Sequence, residues 1–203
     1  MLEHVPAWLG EFIKNVRAGQ EKLAVFKVAH GAARLELSSP AFADGARLPE
    51  RFTADGEGVS PPLIWGMLPE GTASLALIVE DPDAPFPEPL AHAIVWGIPA
   101  SAQHLTEGAI KRDGTGGEGG DVGRNSFRRE GWLPPDPPRG HGEHACVFQL
   151  LALGDTIPLG PNPDRGDVLR AVEGRVLAAG VLTGTYSRGP ESKGQGGGRL
   201  ATA

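Results

Sequence analysis

The chain has 203 residues, a formal net charge of -6, 40% hydrophobic content and a single cysteine, Cys146. A chain of this length builds one core without splitting, and one cysteine excludes an internal disulfide framework. An acidic balance with no long basic run argues against nucleic acid, whose binding rests on neutralised phosphates. Gly 30 and Pro 19 together make about a quarter of the residues, which predicts a loop-rich protein around a packed interior.

From the N-terminus, residues 1–24 read as an amphipathic helix. Trp8, Leu9, Phe12, Ile13 and Val16 fall on one face, with Glu11, Lys14 and Arg17 elsewhere. Those charges interrupt the apolar run that a secretory leader requires. The polar face is poorer in Lys and Arg than that of a membrane-surface anchor, and no stretch reaches the roughly 18 apolar residues of a membrane span. The expected location is the cytoplasm. The apolar stripe is expected to pack on protein, either its own domain or a second copy, which makes a homodimer the expected assembly.

Short strands follow, separated by Gly and Pro punctuation, at 34–42, 74–80, 91–99 and 145–153. Their apolar runs suit a sheet covered on both faces. Residues 112–143 hold so many Gly and Pro that one long surface loop is expected, of the kind that carries function. The segment "DRGDVLRAVEGRVLAAG" predicts a helix capped by Asp164 or Asp167, with Val168, Leu169, Val172, Val176 and Leu177 at helical spacing and Gly180 as its stop. The tail from 190 to 203 has nothing to bury and reads as disordered.

Most catalytic patterns fail on local structure. "HGEH" at 141–144 sets two histidines three apart among prolines and glycines, where the four-residue helical spacing of a zinc site cannot form. No nucleophile elbow occurs, and "GTGGEGGDVG" lacks the lysine of a phosphate loop. Cys146 lies in an apolar strand and reads as an inert buried thiol. What remains comes from the two-residue period of strands. His92, Ile94 and Trp96 are expected on one side of their strand, and His144, Cys146 and Phe148 on one side of theirs. Asp81 and Asp83 end a third strand where proline stops the ladder. The residues read equally as two unrelated strand-start histidines and an Asx turn.

In order and spacing, "DPDAP", "HAIVWGIPA", "GWLPPDPPRGHGEH" and "GVLTGTYSR" resemble the phosphatidylethanolamine-binding protein family, also called Raf kinase inhibitor-like, in its bacterial YbhB/YbcL branch. The likeness spans roughly residues 34–189. It implies a mainly β fold with peripheral helices, a large antiparallel sheet plus a smaller one, in a domain at 25–189. It also implies a pocket for phosphate or phosphorylated headgroups, with no cofactor, no metal and no catalytic turnover. Carried over by position, Asp81, Asp83, Pro85, His92, Pro135, Pro137, His144 and Cys146 form that pocket. Pro138 belongs to the same proline rim. The family usually has tyrosine where Cys146 stands, and Asp136 adds a negative charge to the rim.

A binding or regulatory protein with a small anionic ligand is therefore the leading expectation. A kinase or protease inhibitor acting through its loops, and a metal-assisted hydrolase using His92, His144 and Asp81, are the alternatives. The resemblance further implies a cis peptide just upstream of His92, expected at Glu88-Pro89.

Overall fold

A computed structural model describes residue 13, residues 15–111 and residues 114–189. Its centre is a six-stranded sheet in the order β1-β9-β8-β4-β5-β7, and a three-stranded sheet has the order β2-β3-β6. In the large sheet β1 (Ala33–Arg34) runs parallel to β9 (Val176–Tyr186). The long strands β8 (His144–Leu153), β4 (Ser74–Asp81) and β5 (Leu90–Pro99), together with β7 (Asp121–Val122), are antiparallel to their neighbours. The small sheet joins β2 (Leu37–Ser38), β3 (Leu63–Trp65) and β6 (His104–Leu105).

Every residue of β4 is buried, because each face of the central strand is covered. One face packs Leu75, Leu77 and Val79 with Phe148 and Leu150 against Leu63, Trp65 and Leu105 of the small sheet. The other packs Ala76, Ile78, Ile94 and Leu151 against α1 (Ala24–Val28) and α2 (Arg165–Val172), through Ala24, Val168 and Val172. This two-sided cover explains the continuous apolar runs, which show no alternation for a sequence reader to find.

The strands at 74–80, 91–99 and 145–153 lie where the sequence predicts them, within a residue. The expected strand at 34–42 is instead two short strands that serve different sheets. Asp164 caps α2 in a reciprocal box with Asp167, yet the helix stops at Val172 and Val176 already begins β9. Gly174, at φ 72, turns the chain there. Gly180 is a strand residue: a Cβ on it would stand 2.9 Å from Leu35 O, so glycine lets β9 approach the 35–37 segment. The region 112–143 is no single loop, because β7 pairs with β5 and Trp132 is buried in the core. No cis peptide bond occurs among the described residues, so Glu88-Pro89 is trans and Leu90 enters β5 without one.

Most of the N-terminal stripe, including Trp8, Leu9 and Phe12, lies outside the described residues, as does the tail from 190. What is described ends the helical reading early. Ala18 and Gly19 donate their backbone N–H groups to Ala84 O and Pro82 O, at 3.1 and 2.9 Å, rather than to carbonyls of a preceding helical turn. A separate short turn follows at Gln20–Lys22. Glu80, fully buried on the helix side, ties this region down by accepting from Ala24 N at 2.8 Å, Gln149 Nε2 at 2.7 Å and the Arg165 guanidinium.

Candidate functional site

Two irregularities in β5 decide which side chains reach the site. Between Val79/Ala93 and Glu80/Ala91 the register advances one residue on β4 and two on β5, so His92 is the extra residue of a β-bulge. A second bulge lies near Gly97, whose φ of 67 suits glycine. Ile94 and Trp96 pack with the helices, whereas His92 meets Trp132 on the opposite face with ring centroids 5.9 Å apart. His92 therefore does not share a face with Ile94 and Trp96, contrary to simple alternation. The regular strand β8 does keep Cys146 and Phe148 in one layer.

A cavity of about 310 Å³ opens where β4, β5 and β8 end. Asp81, Pro85, His92, Pro135, Pro137, His144 and Cys146 all line it, so seven of the eight sequence-assigned residues converge there. Asp83 does not line it. Its carboxylate accepts from Ala145 N at 2.8 Å and pairs with Arg17, which also donates to Glu143 O at 3.3 Å. Asp83 is thus a brace between the turn after β4, the start of β8 and the N-terminal segment.

Asp81 is fully committed. Oδ1 accepts from Asp83 N at 2.7 Å and Ala84 N at 3.1 Å, an Asx turn that reverses the chain, and Oδ2 lies 2.6 Å from His144 Nδ1. His144 Nε2 lies 2.6 Å from His141 Nδ1, and His141 Nε2 lies 3.0 Å from Ile13 O. A carboxylate and a carbonyl, both acceptors, close the two ends of this chain. Its three contacts join four ring nitrogens, and which nitrogen of each pair donates depends on the tautomers the two rings adopt. Burial and the neighbouring His144 hold His141 below the usual histidine range. Both ring nitrogens of His144 are therefore used within the protein, and the donor expected there for an anion is taken. Sequence reading set His141 aside with the failed zinc pattern. Its only sequence signal is its place three residues before His144.

His92 is different. The ring is only 2% exposed and its Nδ1 lies 2.7 Å from Leu133 O, which can only accept, so Nδ1 carries the proton. Nε2 has no hydrogen-bond partner among the described residues. Burial, partly countered by Asp81, holds His92 below the usual histidine range, so the ring is neutral near pH 7 and Nε2 presents a lone pair. Burial pushes the Cys146 thiol well above its ordinary value, which keeps it protonated and unreactive.

The negative charge at the rim is ion-paired. Asp136 pairs with Arg188, whose guanidinium also binds Asp55 at 2.7 Å. Tyr186 OH donates to Asp55 at 2.6 Å, and the two donors together, Arg188 first, hold the Asp55 carboxyl low. Trp132 and Tyr186 line the cavity too, with Phe86 and Phe127 at partly exposed positions. Among the described residues, no group of three His, Cys, Asp or Glu side chains could hold a metal ion.

The model of the family described as phosphatidylethanolamine-binding protein matches residues 38–187, which hold the cavity lining and every strand except β1 and the first residue of β2. The chain belongs to this family. A UPF0098 protein of Aquifex aeolicus is 38% identical over 159 residues, covering 78% of this chain and 91% of the relative. The crystal structure of YbcL from E. coli, a member of the mammalian PEBP family, is 31% identical with a TM-score of 0.71, covering 77% of this chain and 99% of that one. LppC of Mycobacterium tuberculosis, named as a lipoprotein, is 37% identical over 158 residues, covering 78% of this chain and 75% of the relative. The family membership fits the mainly β architecture, in which the large sheet is mixed because β1 is parallel. No helix among the described residues is long and apolar enough to cross a membrane.

Proposed function

We propose that this PEBP-family chain is a non-catalytic binding protein of the cytoplasm whose cavity takes a small anion, phosphate or a phosphorylated headgroup, on His92. The observation that carries the reading is the buried ring of His92, held by Leu133 O at Nδ1 and left open at Nε2 beside a proline-walled cavity. Prolines fix the walls before a ligand arrives and bring no N–H groups that need partners. Asp81 turns its carboxylate to two backbone N–H groups and to the His144 ring, away from the role of a direct ligand contact. Arg129 adds a cation to the lining.

Neutral His92 offers a lone pair, so the anion reaches it in one of two ways. The phosphate brings a P–OH that donates to Nε2, or His92 itself takes up a proton. Both states grow as pH falls through about 6, the region of the second phosphate ionisation. Calorimetric titration with inorganic phosphate and with phosphoethanolamine at about pH 5.5 and about pH 7.5 tests this. Affinity is expected to be higher at the acidic pH and to fall at least about tenfold in His92→Gln, the loss of one charge-assisted hydrogen bond. Absence of binding at both pH values, or equal binding by His92→Gln, overturns the reading.

A further inference from the structure

Residues 124–130 form a tight hairpin outside the cavity's histidine end. Arg124 and Glu130 close it as a β-bridge, Asn125 N donates to Arg129 O at 2.9 Å, and Arg128 N donates to Asn125 O at 2.8 Å. The Asn125 side chain accepts from Phe127 N at 3.0 Å and Arg129 N at 3.3 Å, and donates to Gly131 O at 3.3 Å. The hairpin is fixed to the body through Arg124 N to Pro163 O, at 2.8 Å, and Ser126 N to Ala91 O, at 3.0 Å. It displays Arg124, Arg128 and Arg129 on a rigid frame.

These arginines differ from their counterparts. Arg17, Arg51, Arg165, Arg170 and Arg188 all pair with carboxylates. The side chains of Arg124, Arg128 and Arg129 have no hydrogen-bond or ion-pair partner among the described residues, and Arg124 Nε is buried with none. A buried donor without a partner loses its hydrogen bond to water with nothing in return, and a ligand acceptor would restore one. Arg124 and Arg128 line a groove of about 900 Å³ together with Lys27, Arg165 and Arg170. Its acids are accounted for: Glu88 is held by Lys27 at 3.1 Å and Arg165 at 3.2 Å, and Asp164 caps α2. Arg124 and Arg128 also border, with Arg129, Glu130 and Asn162, a smaller hollow of about 410 Å³ in which Glu130 is the acid. Phe86 and Phe127, 41% and 36% exposed, stand between the groove and the family cavity and line both.

We propose that the groove beside this hairpin docks a short acidic segment of a partner protein, with carboxylates on Arg124 and Arg128 and an apolar side chain on Phe86 and Phe127. Guanidinium groups grip carboxylates through paired N–H donors, which a rigid frame favours. The concave groove suits an extended chain better than the flat face of a bilayer. Against a net charge of -6, a local basic groove also gives orientation, since the rest of the surface repels an acidic partner.

Fluorescence anisotropy with labelled Glu-Asp-Phe-Asp-Glu and Lys-Lys-Phe-Lys-Lys peptides tests this on the full chain, at about 50 mM and about 300 mM salt. The acidic peptide is expected to bind at low salt, to weaken at high salt, and to lose at least about tenfold in affinity in the Arg124→Gln, Arg128→Gln double variant. The exposed single change Arg128→Glu, with unaltered thermal unfolding, is expected to weaken the acidic peptide and improve the lysine peptide. Equal binding of the acidic peptide by wild type and both variants overturns the proposal. So does binding to phosphatidylserine/phosphatidylcholine vesicles with none to the peptide, which would assign the basic face to a membrane.

Discussion

Removing the Arg165 guanidinium is the sharpest test of how the helices are held on the sheet. Glu80 is fully buried, and Arg165 Nε is its only cationic partner among the described residues. The same guanidinium donates to Lys22 O at 2.6 Å, so it also anchors the turn before α1. Arg165→Ala leaves a buried carboxylate with two neutral donors, Ala24 N and Gln149 Nε2. Stripping one partner from a buried pair costs about 3–5 kcal/mol. The second contact, to Glu88, adds little, because that carboxylate is 55% exposed and solvent screens it. At about 2–4 °C per kcal/mol for a chain of this size, the melting temperature should drop by about 6–20 °C. Circular dichroism melts at neutral pH measure it, with Arg165→Ala/Glu80→Gln expected to regain part of the loss because no charge is then buried alone. A melt of Arg165→Ala within about 3 °C of wild type would refute the reasoning.

Cys146→Tyr restores a hydroxyl to the cavity lining and is expected to tighten phosphate binding by about 1.5–3 kcal/mol, read by calorimetry; unchanged affinity would show that the ring does not reach the anion. Gly184 faces Cys146 across β8 and β9, and a Cβ there would stand 2.4 Å from Leu48 Cδ2, so Gly184→Ala should destabilise by about 1–3 kcal/mol in urea unfolding. Burial depresses the folded-state ionisation of His92 and His141. The unfolded chain therefore binds protons first, and ligand-free stability should decline as pH falls below about 6.5, less steeply in His92→Gln. Deleting residues 1–20 removes Arg17 and the expected apolar stripe, and a homodimer should lose mass in sedimentation; an unchanged mass would exclude this segment from an interface.

The long strands are legible because full burial leaves unbroken apolar runs, and seven of the eight residues that the family resemblance assigns to a pocket line the cavity. The face of His92 is not, because period-two alternation holds only while the register does, and a bulge leaves no mark in "LAHAIVWG" beyond its glycine. Helical spacing at Val176 and Leu177 matched by coincidence, since the apolar positions of β9 satisfy both periods over so short a stretch. No local pattern marks His141, because one of its two ring contacts reaches Ile13, 128 positions away. Nor does the sequence mark which arginines go without acids, because that depends on every ion pair made elsewhere in the fold.

The paired bulges in β5 make the middle of that strand a module with its own phase. Between them, Ala93 to Trp96 keep strict alternation and weld the two cores together. Outside them the chain restarts its count, so a change at His92 can alter the cavity without asking Ile94 or Trp96 to move. A deletion of one residue at the bulge would do the reverse: it would restore a regular ladder, turn a side chain away from the cavity, and leave the core almost as it was. The side chain that this strand turns toward the cavity can therefore change at one position while the sheet behind it stays the same.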